Sequence, residues 1–228
     1  MKKRADVVGE DVAVEKTMIN KKYIIFDFDG TLADTVPVML TLIQELAEEI
    51  GYDKKITSED LEWVRDHELK DIPHKFGIPW IKIPYILLKG RDLLNKQMFS
   101  VPACKGVLEM LQQLKKKGYT LAVLSSNRRD SIQEFIVKHN LAPFFDFVHS
   151  ELNIFGKDKA LLSLLKQYKM PITESIYVGD EMRDVEACRK INLDCISVTW
   201  GLNSTVALQK YGAQYVVTSP DQLVKLLS

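Results

Sequence analysis

The sequence predicts an α/β fold, with a doubly wound, mostly parallel sheet and an all-helical segment inserted into it. Beyond Pro102, short apolar strands alternate with helices of about 10–15 residues, which is the pattern of parallel strands joined by helical crossovers. From Thr35 to about Val101 the sequence contains helical patterns but no convincing strand. We therefore expect an N-terminal extension over 1–20, an α/β core over 21–34 and 102–228, and a helical insertion over 35–101.

The composition is that of an ordinary soluble globular protein: of 228 residues, 46% are hydrophobic and 27% are charged. Lys plus Arg number 31, as do Asp plus Glu, so the net charge gives no indication of nucleic-acid binding. No apolar run approaches the length of a membrane span, and the N-terminus lacks the apolar core of a signal peptide. Cys104, Cys188 and Cys195 lack CxxC spacing, and we expect them to be reduced thiols in a cytoplasmic protein.

Strands are predicted where short apolar runs are rich in β-branched and aromatic residues. The first run, over 23–26, is unbroken and too short for a helix, which indicates a strand buried on both faces. Five further strands are expected at 120–125, 145–148, 175–179, 195–199 and 214–217.

Helices are predicted where apolar residues recur three and four positions apart. Within the insertion, one helix is expected over 39–50, with Gly51 as its stop. A second is expected after Thr57 or Ser58 and a third over 85–98. In the core, Asp130 is expected to cap the helix that follows the second strand. The other core helices are expected around 107–114, 160–165, 185–188 and 222–227.

Polar side chains stand where the predicted strands end. They are Asp27 and Asp29 after the first strand, Ser125 with Ser126 and Asn127 at the second, Asp180 and Asp184 after the fourth, and Lys157 at the start of a helix. Because the carboxyl ends of parallel strands meet at one edge of the sheet, we expect these residues to converge there. Solvated loop positions would explain each residue singly, but they explain the whole set poorly.

This combination of side chains suits phosphoryl transfer. One carboxylate can attack phosphorus and form an acyl phosphate, while a second can protonate the leaving oxygen and later activate water. Mg²⁺ held by carboxylates relieves their repulsion and lets an anionic phosphate approach an anionic nucleophile. A hydroxyl and an ammonium group can hold the remaining phosphoryl oxygens.

Four motifs in order resemble those of the haloacid dehalogenase superfamily, in its phosphoglycolate-phosphatase-like branch. They are Asp27-Phe-Asp29-Gly30-Thr31 (DxDGT), Ser125 at the end of TLAVLS, Lys157 in FGKDKAL, and Gly179-Asp180-Glu-Met-Arg-Asp184 (GDxxxD). The resemblance covers residues 23 to about 228. It implies a haloacid-dehalogenase-like core and makes the helical insertion its cap.

The resemblance also implies a role for each residue. Asp27 would be the nucleophile and Asp29 the general acid/base, while Ser125 and Lys157 assist catalysis. The metal ligands for Mg²⁺ would be Asp27, the Asp29 carbonyl, Asp180 and Asp184, the last directly or through water. Further phosphate contacts would come from Gly30, Thr31, Ser126 and Asn127.

The third motif leaves an alternative open, because Lys159 follows Lys157 by two residues. Lys157 is favoured because it stands nearer the start of the helix. Either lysine would supply the same positive charge to the phosphate.

The expected function is Mg²⁺-dependent hydrolysis of a small phosphomonoester through phospho-Asp27. A sugar phosphomutase with the same phospho-aspartate is an alternative, and so is a non-catalytic phosphate-binding regulatory module, in which Asp29 would serve no purpose. The expected partner is a small phosphorylated metabolite rather than a nucleic acid or a membrane. The chain is expected to be a monomer or a small homo-oligomer.

Overall fold

A six-stranded sheet forms the centre of the molecule. The computed structural model describes residues 21–49, 51, 56–151 and 156–228, so the N-terminal extension lies outside the described residues. The strands are β1 (Tyr23–Asp27), β2 (Thr120–Ser125), β3 (Phe147–Ser150), β4 (Ser175–Gly179), β5 (Asp194–Val198) and β6 (Tyr215–Val217). Their order across the sheet is β3-β2-β1-β4-β5-β6, and every ladder is parallel. The predicted parallel sheet is therefore confirmed.

The helices fall into two groups. Between β1 and β2 lie α1 (Val36–Glu49), α2 (Ser58–Asp66), α3 (Ile72–Lys75) and α4 (Ile83–Gln97). The others are α5 (Val107–Lys116), α6 (Arg129–Lys138), α7 (Lys157–Gln167), α8 (Met182–Ile191), α9 (Thr205–Lys210) and α10 (Pro220–Leu226). The described part of 35–101 contains no strand, which confirms the helical insertion; Ile50, expected in its first helix, lies outside the described residues. Within the described chain, no helix combines the length and apolar character needed to cross a membrane.

Both faces of the sheet are covered by helices. Ile24 and Phe26 of β1 share one apolar cluster with α5, α6 and α10. Ile25, which points to the opposite face, shares a second cluster with α7 and α8. The sheet is thus doubly wound, and its buried strands bring their carboxyl ends to one shared edge.

The insertion leaves and rejoins the core at neighbouring points. The Asp34 N–H donates to the Pro102 carbonyl at 2.9 Å, and the Cys104 N–H donates to the Leu32 carbonyl at 2.9 Å. The division of the chain into core and cap stays a prediction, and this pairing at its two boundaries supports it.

The third strand begins two residues later than predicted, at Phe147 rather than Phe145. The Asp146 carboxylate accepts a hydrogen bond from the Leu121 N–H at 2.8 Å. A side-chain oxygen therefore takes the place of a strand carbonyl, and the ladder with β2 starts only at Phe147.

The predicted cap of α6 is wrong. The N-cap residue is Arg128, and Asp130 lies inside the first turn. The Arg128 N–H is bound by Asn95 Oδ1 from α4 at 3.0 Å. Because a tertiary contact holds the backbone there, the chain enters the helix before Asp130.

Candidate active site

Three buried carboxylates meet at the carboxyl end of the sheet. Asp27 ends β1, Asp180 follows β4, and Asp184 lies in the first turn of α8. One oxygen of each carboxylate lies within 4.8 Å of the other two, and the residues are 5%, 1% and 0% exposed, respectively. Like charges at this separation resist ionising unless a cation compensates them. The cluster is therefore a candidate metal site.

The raised pKa values of Asp27 and Asp180 also indicate that the negative charge of the cluster is not fully compensated. Burial raises the pKa of Asp27 to about 7, although Lys157 lowers it in part. Burial and the neighbouring Glu181 and Asp27 carboxylates raise the pKa of Asp180 well above its usual range. A divalent cation bound by carboxylate oxygens would stabilise the charged forms of both groups. The donor set fits a divalent metal ion.

The Asp180 carboxylate is held on several sides. Its Oδ1 accepts from the Thr31 hydroxyl at 2.9 Å, and its Oδ2 accepts from the Leu202 N–H at 2.7 Å. A Cβ at Gly30 or Gly201 would lie less than 3.0 Å from this carboxylate. Gly30 also has a φ of +72°, in the left-handed region that favours glycine. Side chains at positions 30 and 201 would therefore clash with the Asp180 carboxylate, and glycine at both positions leaves room for it.

Lys157 neutralises part of the negative charge. Its Nζ lies 2.5 Å from Asp27 Oδ2 and also binds Asp184 Oδ1. Burial opposes the charged form, but the Asp184 and Asp27 carboxylates outweigh it and raise the pKa of Lys157. Lys159, in contrast, is exposed. The structure therefore places Lys157, and not the alternative Lys159, against Asp27.

Asp29 lies close to Asp27 in the chain but has a different environment. Asn127 Nδ2 donates to both of its carboxylate oxygens, at 3.1 and 2.8 Å. Burial raises the pKa of Asp29 to about 6, although the Asn127 hydrogen bonds lower it in part. A carboxyl group that titrates near neutral pH can both donate and accept a proton. This environment suits a general acid/base.

A hydrogen-bond chain connects Asp29 to helix α4 of the insertion. Asn95 Nδ2 donates to Asn127 Oδ1 at 3.3 Å, and Asn95 Oδ1 accepts from the Arg128 N–H at 3.0 Å. Because the Asn127 oxygen is turned towards Asn95, its NH₂ group faces Asp29. Helix α4 thereby orients the side chain that holds Asp29.

Comparison with known proteins identifies the family. A family model described as haloacid dehalogenase-like hydrolase matches residues 24–198. The phosphoglycolate phosphatase of Synechococcus elongatus is 32% identical over 206 residues, which cover 90% of this chain and 96% of that relative. The chain belongs to this haloacid dehalogenase-like family.

Further relatives agree with this assignment. The phosphoglycolate phosphatase of Aquifex aeolicus is 25% identical, with 90% of this chain and 96% of the relative covered. A solved structure of a predicted phosphatase from Clostridium acetobutylicum has a TM-score of 0.76 at 24% identity, with 90% of this chain and 97% of that chain covered. At this identity the structural similarity shows the fold alone. The family and the relatives together make the chain an enzyme, a phosphatase of the haloacid dehalogenase-like type.

In this phosphatase, three of the four residues predicted to contact phosphate make other contacts. The Gly30 N–H donates to Thr35 Oγ1 at 3.1 Å, the Thr31 hydroxyl is bound to Asp180, and the Asn127 amide is bound to Asp29. Ser126 lines the same cleft as Asp27. Contact with phosphate stays a prediction for all four, and only the position of Ser126 supports it.

A cleft lies at the carboxyl ends of β1 and β2. Among the residues that line it are five predicted from the sequence: Asp27, Asp29, Ser125, Ser126 and Lys157. Two more, Glu151 and Arg183, were missed by the sequence analysis, although Arg183 lies inside the GDEMRD motif. Leu202 was missed too. Its position could have been predicted, because it lies in the loop after the carboxyl end of β5, and such loops lie at the same edge of the sheet as the site.

Proposed function

We propose that this phosphatase hydrolyses a small phosphomonoester in two steps through phospho-Asp27, with phosphoglycolate as the first candidate substrate. The observation that carries the proposal is that two carboxylates of one cleft have different environments. Lys157 binds Asp27, whereas Asp29 has other partners, and burial raises the pKa of Asp29 to about 6. The names of the Synechococcus and Aquifex relatives support the choice of substrate. We further propose a cytoplasmic protein that is monomeric or a small homo-oligomer.

In the first step, Asp27 attacks phosphorus and the bond from phosphorus to the ester oxygen breaks. Protonated Asp29 gives its proton to the leaving alkoxide. The Lys157 ammonium and the Ser125 hydroxyl hold phosphoryl oxygens as negative charge spreads over them. Lys157 also favours the ionised form of Asp27, which a nucleophile needs.

In the second step, water attacks the phosphorus of the acyl phosphate, and the bond from phosphorus to Asp27 breaks. Asp29, now ionised, takes the proton from this water and returns to its starting state. Asn127 keeps the Asp29 carboxylate in place through its two hydrogen bonds. Inorganic phosphate and the alcohol are the products.

We infer that Asp27, Asp180 and Asp184 hold Mg²⁺, with the Asp29 carbonyl as a further ligand expected from the family resemblance. When bound, this ion would neutralise the carboxylates and polarise a phosphoryl oxygen. The two alternatives, a sugar phosphomutase and a non-catalytic phosphate-binding module, gain no support from the phosphatase relatives.

Asp27→Asn and Asp29→Asn test the assignment of roles. Asp29→Asn removes proton transfer and keeps nearly the same volume, so the first step should slow by roughly 10²–10⁴-fold on an alkyl phosphate. On an activated ester such as a nitrophenyl phosphate, the leaving group needs no proton, so the first step should stay fast. The second step lacks its base, so phospho-Asp27 should accumulate and a burst of nitrophenol should precede slow turnover. Asp27→Asn should abolish the first step for both substrates.

Rapid-quench measurement of the phospho-enzyme on one alkyl and one activated ester separates these outcomes. If Asp29→Asn slows phospho-enzyme formation equally for both leaving groups, Asp29 is not the general acid. If Asp27→Asn still forms a phospho-enzyme, the nucleophile lies elsewhere.

A further inference from the structure

Arg183 lines the cleft but has no role in the two-step mechanism. It lies in the first turn of α8, next to Asp184. Among the described residues, Arg183 and Lys157 are the two basic side chains that line the cleft. Lys157 is already occupied by Asp27 and Asp184, whereas Arg183 contacts neither of these carboxylates within hydrogen-bond distance. The guanidinium group is therefore a second positive charge in the wall of the cleft.

The guanidinium group is held by a hydrogen bond, but within the described part of the chain not all of its N–H donors have an acceptor. Its Nη2 donates to Glu181 Oε1 at 2.6 Å. Glu181 is itself fixed, because it is buried and its backbone N–H donates to Asp184 Oδ2 at 3.0 Å. Arg183 Nε is also buried, and it finds no acceptor among the described residues. A buried N–H without an acceptor costs free energy, and the hydrogen-bonding capacity of the guanidinium group is only partly used.

Arg183 also keeps its positive charge. A guanidinium group is not deprotonated in proteins, so Arg183 is positively charged over the whole pH range in which the enzyme is folded. A guanidinium group presents its N–H donors in a planar fork that matches the two oxygens of a carboxylate. In the proposed mechanism the phosphoryl oxygens already have Lys157 and Ser125 as partners.

The other acidic residue of the cleft wall restricts where a second anion can lie. The Glu151 N–H donates to the Ser125 carbonyl at 2.9 Å, which places Glu151 at the side formed by β2 and β3. Its carboxylate repels an anion there, whereas Arg183 attracts one at the side formed by α8. The charge of the cleft is therefore asymmetric about the phosphoryl position.

We propose that Arg183 binds a carboxylate group of the substrate beside the phosphoryl group, and so selects phosphate esters of small hydroxy acids. The inference rests on the proposed function and names the residue that gives it specificity. Glu181 acts as the positioning residue that aims the guanidinium group.

The test compares two esters that differ only in the group at issue. Phosphoglycolate has a carboxylate where 2-hydroxyethyl phosphate has a neutral CH₂OH group. The measured quantity is the ratio of their kcat/KM values, with the full chain and saturating Mg²⁺. The wild-type enzyme should prefer phosphoglycolate, and Arg183→Gln should lower this ratio roughly 10–100-fold, as expected for the loss of a charged hydrogen bond. The ratio does not depend on the fraction of folded enzyme, because both esters are measured on one sample.

Two further variants act as controls. Arg183→Lys keeps the charge but loses the planar fork, so its ratio should lie between those of the wild type and Arg183→Gln. Arg189→Gln removes an arginine from the same helix that is exposed and lies over the Tyr211 ring, with its Cζ 5.7 Å from the ring centroid. Its ratio should equal that of the wild type.

The outcomes separate the role of Arg183 from the choice of substrate. If Arg183→Gln lowers kcat/KM equally for both esters, or leaves the ratio unchanged, Arg183 does not bind the carboxylate. 2-Phospholactate, a second carboxylated ester, extends the comparison. Suppose that the wild type prefers 2-phospholactate over 2-hydroxyethyl phosphate, that Arg183→Gln loses this preference, and that the wild type does not hydrolyse phosphoglycolate. In that case the role of Arg183 stands and the proposed substrate is wrong. A wild-type enzyme without preference for either carboxylated ester contradicts both.

Discussion

The Lys157 ammonium is shared by two carboxylates, of which Asp27 is the proposed nucleophile and Asp184 a proposed metal ligand. Lys157→Met should lower kcat for an aryl phosphate by roughly 10²–10³-fold, because it removes one preorganised positive charge from the phosphoryl site. Lys159→Met is the matched control, since Lys159 is exposed and lies two residues further along α7. Steady-state kinetics of the two variants decide between the two lysines. A larger loss in Lys159→Met would reverse the assignment.

Single residues differ in how far the sequence reveals them. Asp27 and Asp180 could be predicted because each directly follows a strand, and the ends of parallel strands converge. The contact between the Thr31 hydroxyl and Asp180 could not be predicted, because it depends on the lateral spacing of β1 and β4 and not on any local pattern. The same limit applies to Arg183, whose position inside a motif does not tell which way its side chain turns.

At the scale of elements, helix α4 contributes to the site through Asn95. Asn95→Ala should lower kcat/KM for an alkyl phosphate by about 3–10-fold, the usual value of one hydrogen bond, because the Asn127 amide loses the donor that orients it. Asn127→Ala should cost more, since it removes both hydrogen bonds to Asp29. The exposed Gln97 at the end of the same helix offers the control variant Gln97→Ala.

A double-mutant cycle shows whether the two asparagines act in series. If they do, the double variant should be no worse than Asn127→Ala alone. Fully additive losses would mean that Asn95 acts on the enzyme by another route. The sequence could not predict this contact, because Asn95 sits in a helix interior where a polar residue usually faces solvent.

For the whole molecule, hydrophobic periodicity sufficed to predict the sheet and its crossovers, since each buried strand is a short apolar run. What it could not predict is how the helical insertion contacts the rest of the chain. The Arg65 guanidinium donates to the Gly201 carbonyl at 3.1 Å, and the Arg65 carbonyl accepts from Asn203 and Ser204. These contacts join α2 to the loop that holds Asp180, across more than 130 residues of chain. No local pattern contains such a pairing.

The stability of the metal-free protein should depend on pH, because Lys157 compensates only part of the negative charge of the carboxylate cluster. The pKa of Asp27 is about 7 in the folded state and 3.8 as its ordinary value. Between these pH values the folded state binds a proton that the unfolded state has lost, so the free energy of unfolding falls as pH rises from about 4 to 7. Asp180 shifts in the same direction. Lys157 adds no slope in this window, because it is charged in both states.

Thermal unfolding at pH 5 and pH 8, with EDTA or with Mg²⁺, measures this dependence. His149 acts in the opposite sense, because burial lowers its pKa, so the informative quantity is the difference between wild type and Asp180→Asn. In Asp180→Asn the amide can still donate to Thr31 Oγ1 and accept from the Leu202 N–H, since a hydroxyl is both donor and acceptor. In EDTA, the variant should therefore gain Tm relative to wild type on going from pH 5 to pH 8, by on the order of 5 °C.

Mg²⁺ provides the second half of this test. It should raise the Tm of the wild type more at pH 8 than at pH 5, because at pH 8 it binds ionised carboxylates without displacing protons. In Asp180→Asn the increase should be small at both pH values, since one ligand of the cluster has lost its charge. A wild-type Tm that responds to Mg²⁺ equally at both pH values, or a variant that responds as strongly as the wild type, would show that Asp27, Asp180 and Asp184 are not the metal site.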